Sequence, residues 1–373
     1  MGVFGLRLDC YMPVRLISGR GCVKANGSVF SSAGKRCLIV TSGTAAKKSG
    51  ALDDVCAVLN SEGIEYGVFD GITENPLLSS CEKAGKSAYD ASAQFIIGIG
   101  GGSPLDSAKA AAIFAANPSL TGEEIYRRAV PSPALPVILI GTTSGTGSEV
   151  TGVSVLTNDA TGMKKSISGA DCYASVSFLD STYTFSMPYS VTVSTALDAF
   201  AHAAEGWFSA KTSELSDAYA SLALPAVYKG LVSLLKTKAL PDAGGREQLY
   251  LASIYAGLAL NITKAGFPHT VGYVLSEDYG IPHGRACTAF LPLLLSRGKQ
   301  LLPDRYEKLL ALLKTDGETL VDTVSLLTDV HISIPAEKAH EYAARWNAQS
   351  ANFVNSPGGF TAEDAEKALS SIK

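Results

Sequence analysis

Three histidines and one aspartate in the second half of the chain have the residue types and spacing of metal ligands. The segment "ALDAFAHAAEGWF" places Asp198 and His202 four residues apart in a strongly helical context, so both side chains share one helix face. His269 and His283 follow in "FPHTVGYVLSEDYGIPHGRAC". An isolated Asp/His pair at this spacing is more often a hydrogen-bonded core pair. With the two further histidines, we predict a divalent-cation site that leaves the ion open to a substrate oxygen.

The chain has only five histidines, and the remaining two lie outside this group. His331 and His340 occur in polar C-terminal segments with helical spacing. We expect both at the surface.

A glycine-rich turn in the first half, "IGIGGGSPLDSAK", is suited to holding a phosphate. Gly101, Gly102 and Ser103 precede Pro104, a residue that favours the first turn of a helix. Glycines let the backbone approach an anion closely, and the amides of a helix start point at it. The spacing differs from the common G-x-G-x-x-G fingerprint, so a simple tight turn is the alternative.

A second loop, "GTTSGTGSEVT" at residues 141–151, combines glycines with several hydroxyl side chains. Such a loop can donate hydrogen bonds to phosphate, ribose and carboxamide groups, although some of its hydroxyls could instead cap a helix. Two polar glycine loops at the ends of neighbouring strands indicate a dinucleotide lying across them.

The elements that would position these loops alternate between apolar strands and amphipathic helices. Strands are predicted at 36–41 and 65–71 and within 94–103 and 135–149, where each of the last two runs into a glycine loop, with helices around 46–63, 77–90 and after Pro104. This pattern is typical of a doubly wound, Rossmann-like α/β sheet covered on both faces. From about residue 189 the chain becomes rich in alanine and leucine at helical spacing. We therefore predict an α/β dinucleotide-binding domain over 1–188 and an all-helical domain over 189–373.

Composition narrows the classes of partner. The formal net charge is −4, the basic residues are scattered, and no uninterrupted apolar run approaches the roughly 18 residues that cross a bilayer. Seven widely spaced cysteines fit free thiols in a reducing compartment better than a disulfide framework. We expect a cytoplasmic protein that acts on a small molecule and binds neither nucleic acid nor membrane.

Several motifs in order along nearly the whole chain resemble those of the iron-containing (group III) alcohol dehydrogenases. They are "LISGRG", "FDGITENP", "GGGSPLDSAK", "TTSGTGSEVT", "LDAFAHAAE" and the spacing of thirteen residues between His269 and His283-Gly284. The resemblance implies an N-terminal dinucleotide-binding domain, a C-terminal helical domain and an architecture like that of dehydroquinate synthase. It also implies a homodimer or a larger homo-oligomer.

The resemblance assigns roles to individual residues. It implies that Asp198, His202, His269 and His283 bind a catalytic divalent metal, usually Fe²⁺ and sometimes Zn²⁺. The residues implied to contact the cofactor, besides those after the first strand, are Asn75, Gly101, Gly102, Ser103, Asp106, Thr142, Thr143, Thr146, Ser148 and Lys164. For Lys164 the adjacent Lys165 leaves an ambiguity of one residue.

Two positions depart from the pattern of the family. Members that prefer NAD often carry an aspartate after the first strand, whereas Ser42, Gly43 and Thr44 stand here with Lys47 and Lys48 nearby. Small polar groups could admit a 2′-phosphate, so we predict NADP over NAD, the alternative being that the lysines only solvate a helix.

The second departure lies between the two histidines. Many members of the family carry a further histidine four residues after the third ligand, where this chain has Tyr273. In the family this histidine is expected to help relay a proton or orient the substrate. A phenol titrates far above neutrality unless its pKa is perturbed, so the resemblance does not assign the route of that proton in this chain.

Together these observations predict a metal-dependent, NAD(P)-linked alcohol dehydrogenase or aldehyde reductase. Its substrate would be a short primary alcohol, diol or aldehyde, with Fe²⁺ or Zn²⁺ polarising the substrate oxygen. Two alternatives are a dehydroquinate-synthase-like lyase that uses NAD and a divalent metal, and a non-catalytic protein that retains the nucleotide-binding fold.

Overall fold

The computed structural model describes residues 8–126, 131–347 and 350–372. These residues form two compact units. The first contains Met12–Pro188 and Asp242–Leu251, and the second contains Tyr189–Pro241, the described residues after Leu251 and residues 8–11. The predicted single boundary between residues 188 and 189 stays a prediction. It does not account for Asp242–Leu251, which belongs to the first unit.

The first unit is built on a parallel sheet of six strands in the order β1-β8-β5-β4-β2-β3. Its strands are β1 (Arg15–Ser18), β2 (Arg36–Thr41), β3 (Glu65–Phe69), β4 (Phe95–Gly100), β5 (Val137–Gly141) and β8 (Val176–Leu179). A separate antiparallel pair joins β6 (Val153–Thr157) and β7 (Lys164–Ser168). The Rossmann-like parallel sheet predicted from the sequence is confirmed.

Helices connect the strands of the sheet. They are α1 (Cys22–Ala25), α2 (Gly27–Ala33), α3 (Gly43–Lys48), α4 (Ala51–Ser61), α5 (Leu78–Asp90) and α6 (Gly102–Ala116). The single helix predicted around 46–63 is wrong. It is two helices, because Gly50 has a left-handed backbone with φ of 82° that ends one helix before the next begins.

Alternate strand residues pack on opposite faces of the sheet. Ile39 and Ile97 belong to one buried apolar cluster with Phe178, whereas Leu38 and Ile96 belong to another on the other face. Side chains of successive strand residues point to opposite faces, so strands with two apolar faces must be covered on both. With both faces covered by apolar clusters, a ligand can reach the sheet at its edges and at the ends of its strands.

The second unit is helical throughout its described residues after Tyr189, as predicted. Its helices are α7 (Tyr189–Phe208), α8 (Glu214–Thr237), α9 (Ala243–Thr263), α10 (Phe267–Asp278), α11 (His283–Thr288), α12 (Leu291–Leu301), α13 (Pro303–Leu313), α14 (Gly317–Thr328), α15 (Ala336–Ala343), α16 (Ala351–Val354) and α17 (Ala362–Ser371), with the start of α9 belonging to the first unit.

By length and composition alone, α8 could cross a membrane, with a mean hydropathy of 1.4. One face of this helix is buried through Leu224, Val227, Leu231 and Leu234. Its start is closed by a capping box between Ser213 and Ser216. A long apolar helix with one buried face is also found in the core of globular proteins, so length and composition alone do not indicate a membrane span.

Candidate metal centre and dinucleotide loops

Helix α7 carries three polar side chains along one buried face. Asp198, His202 and Glu205 are at positions i, i+4 and i+7, so they lie on the same side of the helix. Each of these residues is at most 5% exposed. Burying a carboxylate without a partner is costly, so this face requires cations or hydrogen-bond donors opposite it.

The predicted ligands converge on one oxygen of Asp198. Its Oδ1 lies 3.3 Å from His269 Nε2, 3.7 Å from His283 Nε2 and 3.8 Å from His202 Nε2. The rings of His202 and His269 are stacked with their centroids 4.4 Å apart. Side chains from α7, α10 and α11 thus lie within 3.8 Å of this oxygen, and their role as metal ligands stays a prediction.

These separations fit a divalent ion. Donors about 2.1 Å from a tetrahedral ion are about 3.4 Å from one another, which is close to the distances around Asp198. One carboxylate and three imidazoles also match the donors that Fe²⁺ and Zn²⁺ accept. The group of four side chains is therefore suited to the metal that the sequence predicts.

Gly284 allows α11 to approach α7. A Cβ atom added to this glycine would overlap the carbonyl oxygen of Ser194 and lie 3.0 Å from the Cβ of Asp198. A larger residue would push α11 outward and carry His283 with it. The "HG" pair therefore combines a ligand with the space that its helix needs.

Glu205 supports the site from behind and was missed by the sequence analysis. Its Oε1 lies 2.5 Å from His269 Nδ1, and its Oε2 accepts a hydrogen bond of 2.7 Å from the backbone N–H of Gly266. A carboxylate on Nδ1 fixes the tautomer and orientation of an imidazole whose Nε2 faces a metal. The available signal was a lone glutamate three residues after His202 in an alanine-rich helix.

The electrostatics of the site favour a positive charge beside Asp198. Burial raises the pKa of Asp198, but His202, His283 and His269 lower it more, and the pKa lies well below its usual range. Burial lowers the pKa of His269, yet Cys287, Glu205 and Asp198 raise it well above the ordinary value. A site this strongly basic takes up a proton or a divalent cation, which compete for the same imidazole.

A thiol that the sequence analysis did not select also lies in the cluster. Ligand atoms of Asp198, His269, His283 and Cys287 all lie within 4.8 Å of one another. Cys287 is fully buried, one helical turn after His283. A histidine followed by a cysteine at i+4 on a helix could have indicated it.

The remaining histidines and Tyr273 occupy different surroundings. His331 and His340 are exposed, as predicted, and pair with Asp329 and Glu366. Tyr273 lies one turn after His269 on α10, and its ring lies 5.8 Å from that of His283 at 26°. The tyrosine ring thus packs beside the ring of His283, one of the predicted ligands.

The predicted cofactor loops lie at one edge of the sheet. Gly100 at the end of β4 pairs with Gly141 at the end of β5, and Thr41 of β2 pairs with Ile99. The loops after β2, β4 and β5 therefore emerge side by side. In the order of the strands, the chain continues from β2 outward to β3 and from β4 in the opposite direction to β5. Open α/β sheets bind ligands at such a switch point.

The two glycine loops touch each other. Thr142 donates its backbone N–H to Gly100 O at 2.8 Å. A Cβ atom on Gly102 would lie only 2.6 Å from Thr146 Cγ2, so the absence of a side chain lets the loops close together. Gly102 begins α6, whose first amides have no side-chain cap. Gly101, Gly102, Ser103, Thr142, Thr143 and Thr146 are thus gathered where the prediction requires them.

Asp106 and Ser148 serve the loop internally. Ser148 donates a 2.6 Å hydrogen bond to Asp106, and the fully buried Lys109 donates to Ser148 Oγ at 2.7 Å and to the carbonyls of Thr151 and Val153. This network ties the second loop to α6. A direct contact of Asp106 or Ser148 with the cofactor stays a prediction, and Lys109, missed by the sequence analysis, is the centre of the network.

The remaining predicted contacts surround the β6/β7 pair and the end of β2. Thr157, which pairs with Lys164, donates through its hydroxyl to Asn75 O at 3.2 Å. Lys165 Nζ lies 4.3 Å from the centre of the Tyr126 ring, and the contact of Lys164 with the cofactor ribose stays a prediction. Ser42 and Gly43 are partly buried, whereas Thr44, Lys47 and Lys48 are exposed.

Comparisons with known families agree with this arrangement. Residues 13–181 match the family profile "Iron-containing alcohol dehydrogenase", and residues 192–339 match "Fe-containing alcohol dehydrogenase family, C-terminal". The resemblance that the motifs indicated is confirmed.

Individual relatives are similar over most of the chain. Sulfoacetaldehyde reductase of Bilophila wadsworthia is 32% identical over 83% of this chain and 79% of its own length. NADPH-dependent butanol dehydrogenase of Clostridium saccharobutylicum is 30% identical over 78% and 76%. The crystal structure of an iron-containing alcohol dehydrogenase from Thermotoga maritima is 32% identical, covers 97% of this chain and 99% of its own, and superposes with a TM-score of 0.89.

Proposed function

Because the chain belongs to the iron-containing alcohol dehydrogenase family, we propose that it interconverts a short primary alcohol or diol and its aldehyde, using NADP and a divalent metal. The observation that carries this proposal is the convergence of His202, His269 and His283 on the Oδ1 atom of Asp198. Both matched family profiles describe alcohol dehydrogenases, which favours this function over a dehydroquinate-synthase-like lyase.

The proposed mechanism divides the work between the metal ligands and the cofactor loops. Asp198, His202, His269 and His283 would hold a divalent ion, which would supply Lewis acidity toward a substrate oxygen. Asp198 contributes a full negative charge, because its pKa is held well below the usual range. Glu205 holds Nδ1 of His269, so that Nε2 keeps its orientation toward Asp198. The nicotinamide carries the hydride, and the chain contributes position and electrostatics.

The cofactor is proposed to lie along the loops after β2, β4 and β5. The amides that begin α6, next to Gly101 and Gly102, suit a pyrophosphate. At the end of β2, Ser42 occupies the position where a carboxylate would repel a 2′-phosphate. The relatives include an NADPH-dependent enzyme and a sulfoacetaldehyde reductase solved with NAD⁺, so the choice of cofactor rests on the local chemistry of this chain.

The substrate is proposed from the range of the relatives. They include enzymes named for sulfoacetaldehyde, butanol and 1,3-propanediol, which are small molecules with a terminal aldehyde or hydroxyl group. We propose the same class for this chain. A cytoplasmic location and a homo-oligomeric state also remain proposals that rest on the family.

A panel of substrates tests the function. Freshly Fe²⁺-loaded and Zn²⁺-loaded protein is assayed in parallel with short alcohols, diols and aldehydes, each with NAD(H) and NADP(H). We expect turnover that chelation abolishes and that Asp198→Asn does not support. Failure of metal-loaded protein to turn over any member of the panel with either cofactor would overturn the proposal.

A single substitution tests the choice of cofactor. Ser42→Asp is expected to raise KM for NADP by about tenfold or more with little change in KM for NAD, because the new carboxylate repels the 2′-phosphate. Lys86→Asp introduces a carboxylate at an exposed site on α5 and serves as the control. An equal effect of Ser42→Asp on both cofactors would contradict the preference.

A further inference from the structure

The cluster around Asp198 contains one more donor than the four predicted ligands. Asp198, His269, His283 and Cys287 have ligand atoms within 4.8 Å of one another. The Sγ atom of Cys287 lies 3.5 Å from Nδ1 and 3.8 Å from Nε2 of His283. This sulfur therefore lies within 4.8 Å of ligand atoms of three of the four predicted ligands.

We propose that Cys287 is a further metal ligand, contributing a thiolate to the site and shifting its preference toward thiophilic ions such as Zn²⁺. This inference rests on the proposed metal site and adds a residue that the Asp/His pattern does not contain. Sulfur donors favour softer ions, whereas carboxylate and imidazole donors alone accept Fe²⁺ and Zn²⁺ alike. The ion would take the place of the thiol proton, which is released to solvent.

Position and burial distinguish this thiol from the others in the chain. Cys287 lies at i+4 from His283, so both side chains leave the same face of α11. Its residue is fully buried, whereas the exposed cysteine is Cys10. Cys22, Cys37, Cys81 and Cys172 are also buried, but they belong to the other unit, whereas Asp198 and the three predicted histidine ligands belong to the same unit as Cys287.

Local packing brings the sulfur to this position. A Cβ atom on Gly272 would lie 2.8 Å from the Cα of Cys287 and 2.9 Å from the carbonyl carbon of Ala286. Helices α10 and α11 therefore approach at their backbones, and His269 on α10 faces the thiol on α11.

Cobalt spectroscopy tests the sulfur ligand without relying on turnover. Co²⁺ is added to metal-free protein, and we expect visible ligand-field bands together with a near-ultraviolet sulfur-to-cobalt charge-transfer band. Cys287→Ser is expected to keep the visible bands and lose the charge-transfer band. Cys81→Ser, which removes a thiol that is equally buried in the other unit, should keep both.

The outcomes separate the two proposals. Visible bands without a charge-transfer band in the unaltered protein would overturn the sulfur ligand and leave the metal site standing. Absence of any cobalt band would overturn both. If Cys287→Ser fails to fold, X-ray absorption of the unaltered Zn²⁺-loaded protein decides, because a sulfur neighbour at about 2.3 Å is distinct from nitrogen and oxygen at about 2.0–2.1 Å.

Competition between metals tests the preference. The protein is equilibrated with equal concentrations of Fe²⁺ and Zn²⁺ under anaerobic conditions, and the bound metals are measured by mass spectrometry. We expect Cys287→Ser to lower the ratio of bound Zn²⁺ to Fe²⁺ by about tenfold. An unchanged ratio would overturn the assigned role in selectivity.

Discussion

Glu205 and His269 form a buried pair in which the glutamate Oε1 lies 2.5 Å from the imidazole Nδ1, across 64 residues of sequence. The other carboxylate oxygen accepts the backbone N–H of Gly266, just before α10 begins. One side chain on α7 therefore fixes both the start of α10 and the ring that α10 presents to Asp198.

Glu205→Gln is expected to weaken metal binding by about 10- to 100-fold, the usual effect of losing an outer partner of a ligand. The amide keeps one acceptor for His269 but lacks the charge and the second acceptor for Gly266. Affinity is measured by competition with a chromogenic chelator. Glu366→Gln, which alters an exposed carboxylate paired with His340, is the control. Equal affinities of Glu205→Gln and the control would show that Glu205 only fills space.

Gly284→Ala is expected to destabilise the fold by about 1–3 kcal/mol, the usual cost of overpacking. The added methyl group would collide with Ser194 O, a backbone atom that cannot rotate away. Metal affinity should fall in parallel, because His283 is displaced. Urea unfolding and metal titration are compared with Gly244→Ala, where the nearest atom outside the local backbone is 3.7 Å away and helix propensity predicts a small gain. Stability equal to that of the unaltered protein would contradict the packing argument.

Lys109→Met is expected to lower the free energy of unfolding by about 3–5 kcal/mol. The substitution removes the cation from a buried pair, so Asp106 loses its counter-ion and the neighbouring oxygen acceptors lose their donor. The second glycine loop loses its anchor on α6, so binding of the dinucleotide should weaken as well. Both are measured, by urea unfolding and by quenching of intrinsic fluorescence with NADPH. Lys86→Met, at an exposed ion pair with Asp90, should change neither. Full stability of Lys109→Met would show that this network does not anchor the second glycine loop on α6.

Glu149→Gln is expected to change the dependence of stability on pH. Burial raises the pKa of Glu149, while the Tyr250 hydroxyl, 3.3 Å from Oε1, lowers it less. The folded state therefore holds a proton that the unfolded state releases above about pH 4.3. This contribution is fully present below that pH and is lost as the pH rises through the folded pKa.

The amide of Glu149→Gln does not titrate, so the stability of the variant relative to the unaltered protein should increase as the pH rises from 4.5 to 8. Urea unfolding at several pH values measures this difference. Glu247→Gln, at an exposed carboxylate in the same unit, should give a flat difference. A flat difference for Glu149→Gln would show that the folded and unfolded states bind its proton equally.

Tyr273→His is expected to add an ionisation near pH 6.5 to the pH profile of kcat/KM, because an imidazole titrates there and a phenol near 10. The tyrosine ring lies against that of His283, close enough for a replacement to reach the same surroundings. Tyr273→Phe keeps the ring and removes the hydroxyl. If all three proteins share one pH profile, Tyr273 acts by packing alone.

The types and short-range spacing of the candidate ligands, and the strands that support the glycine loops, are recognisable in the sequence. The i, i+4 spacing of Asp198 and His202 is a local property of a helix, and the apolar strands around the glycine loops are visible as short runs. Both signals depend on residues that are close in the chain, where backbone geometry dictates which side chains share a face. For this reason the parallel sheet and the helical second half agree with prediction, while the role of the four side chains as metal ligands stays a prediction.

The further residues that contact the candidate ligands and the glycine loops are visible only in the folded chain. Glu205 reaches His269, Cys287 reaches the imidazoles, and Lys109 reaches the loop at 148–153 through contacts between separate elements. Each looks like an ordinary helical residue in sequence, because its partner is set by how closely two helices, or a helix and a loop, approach. Gly272 and Gly284 allow α11 to approach α10 and α7, and this effect appears only when the neighbouring backbone is in place.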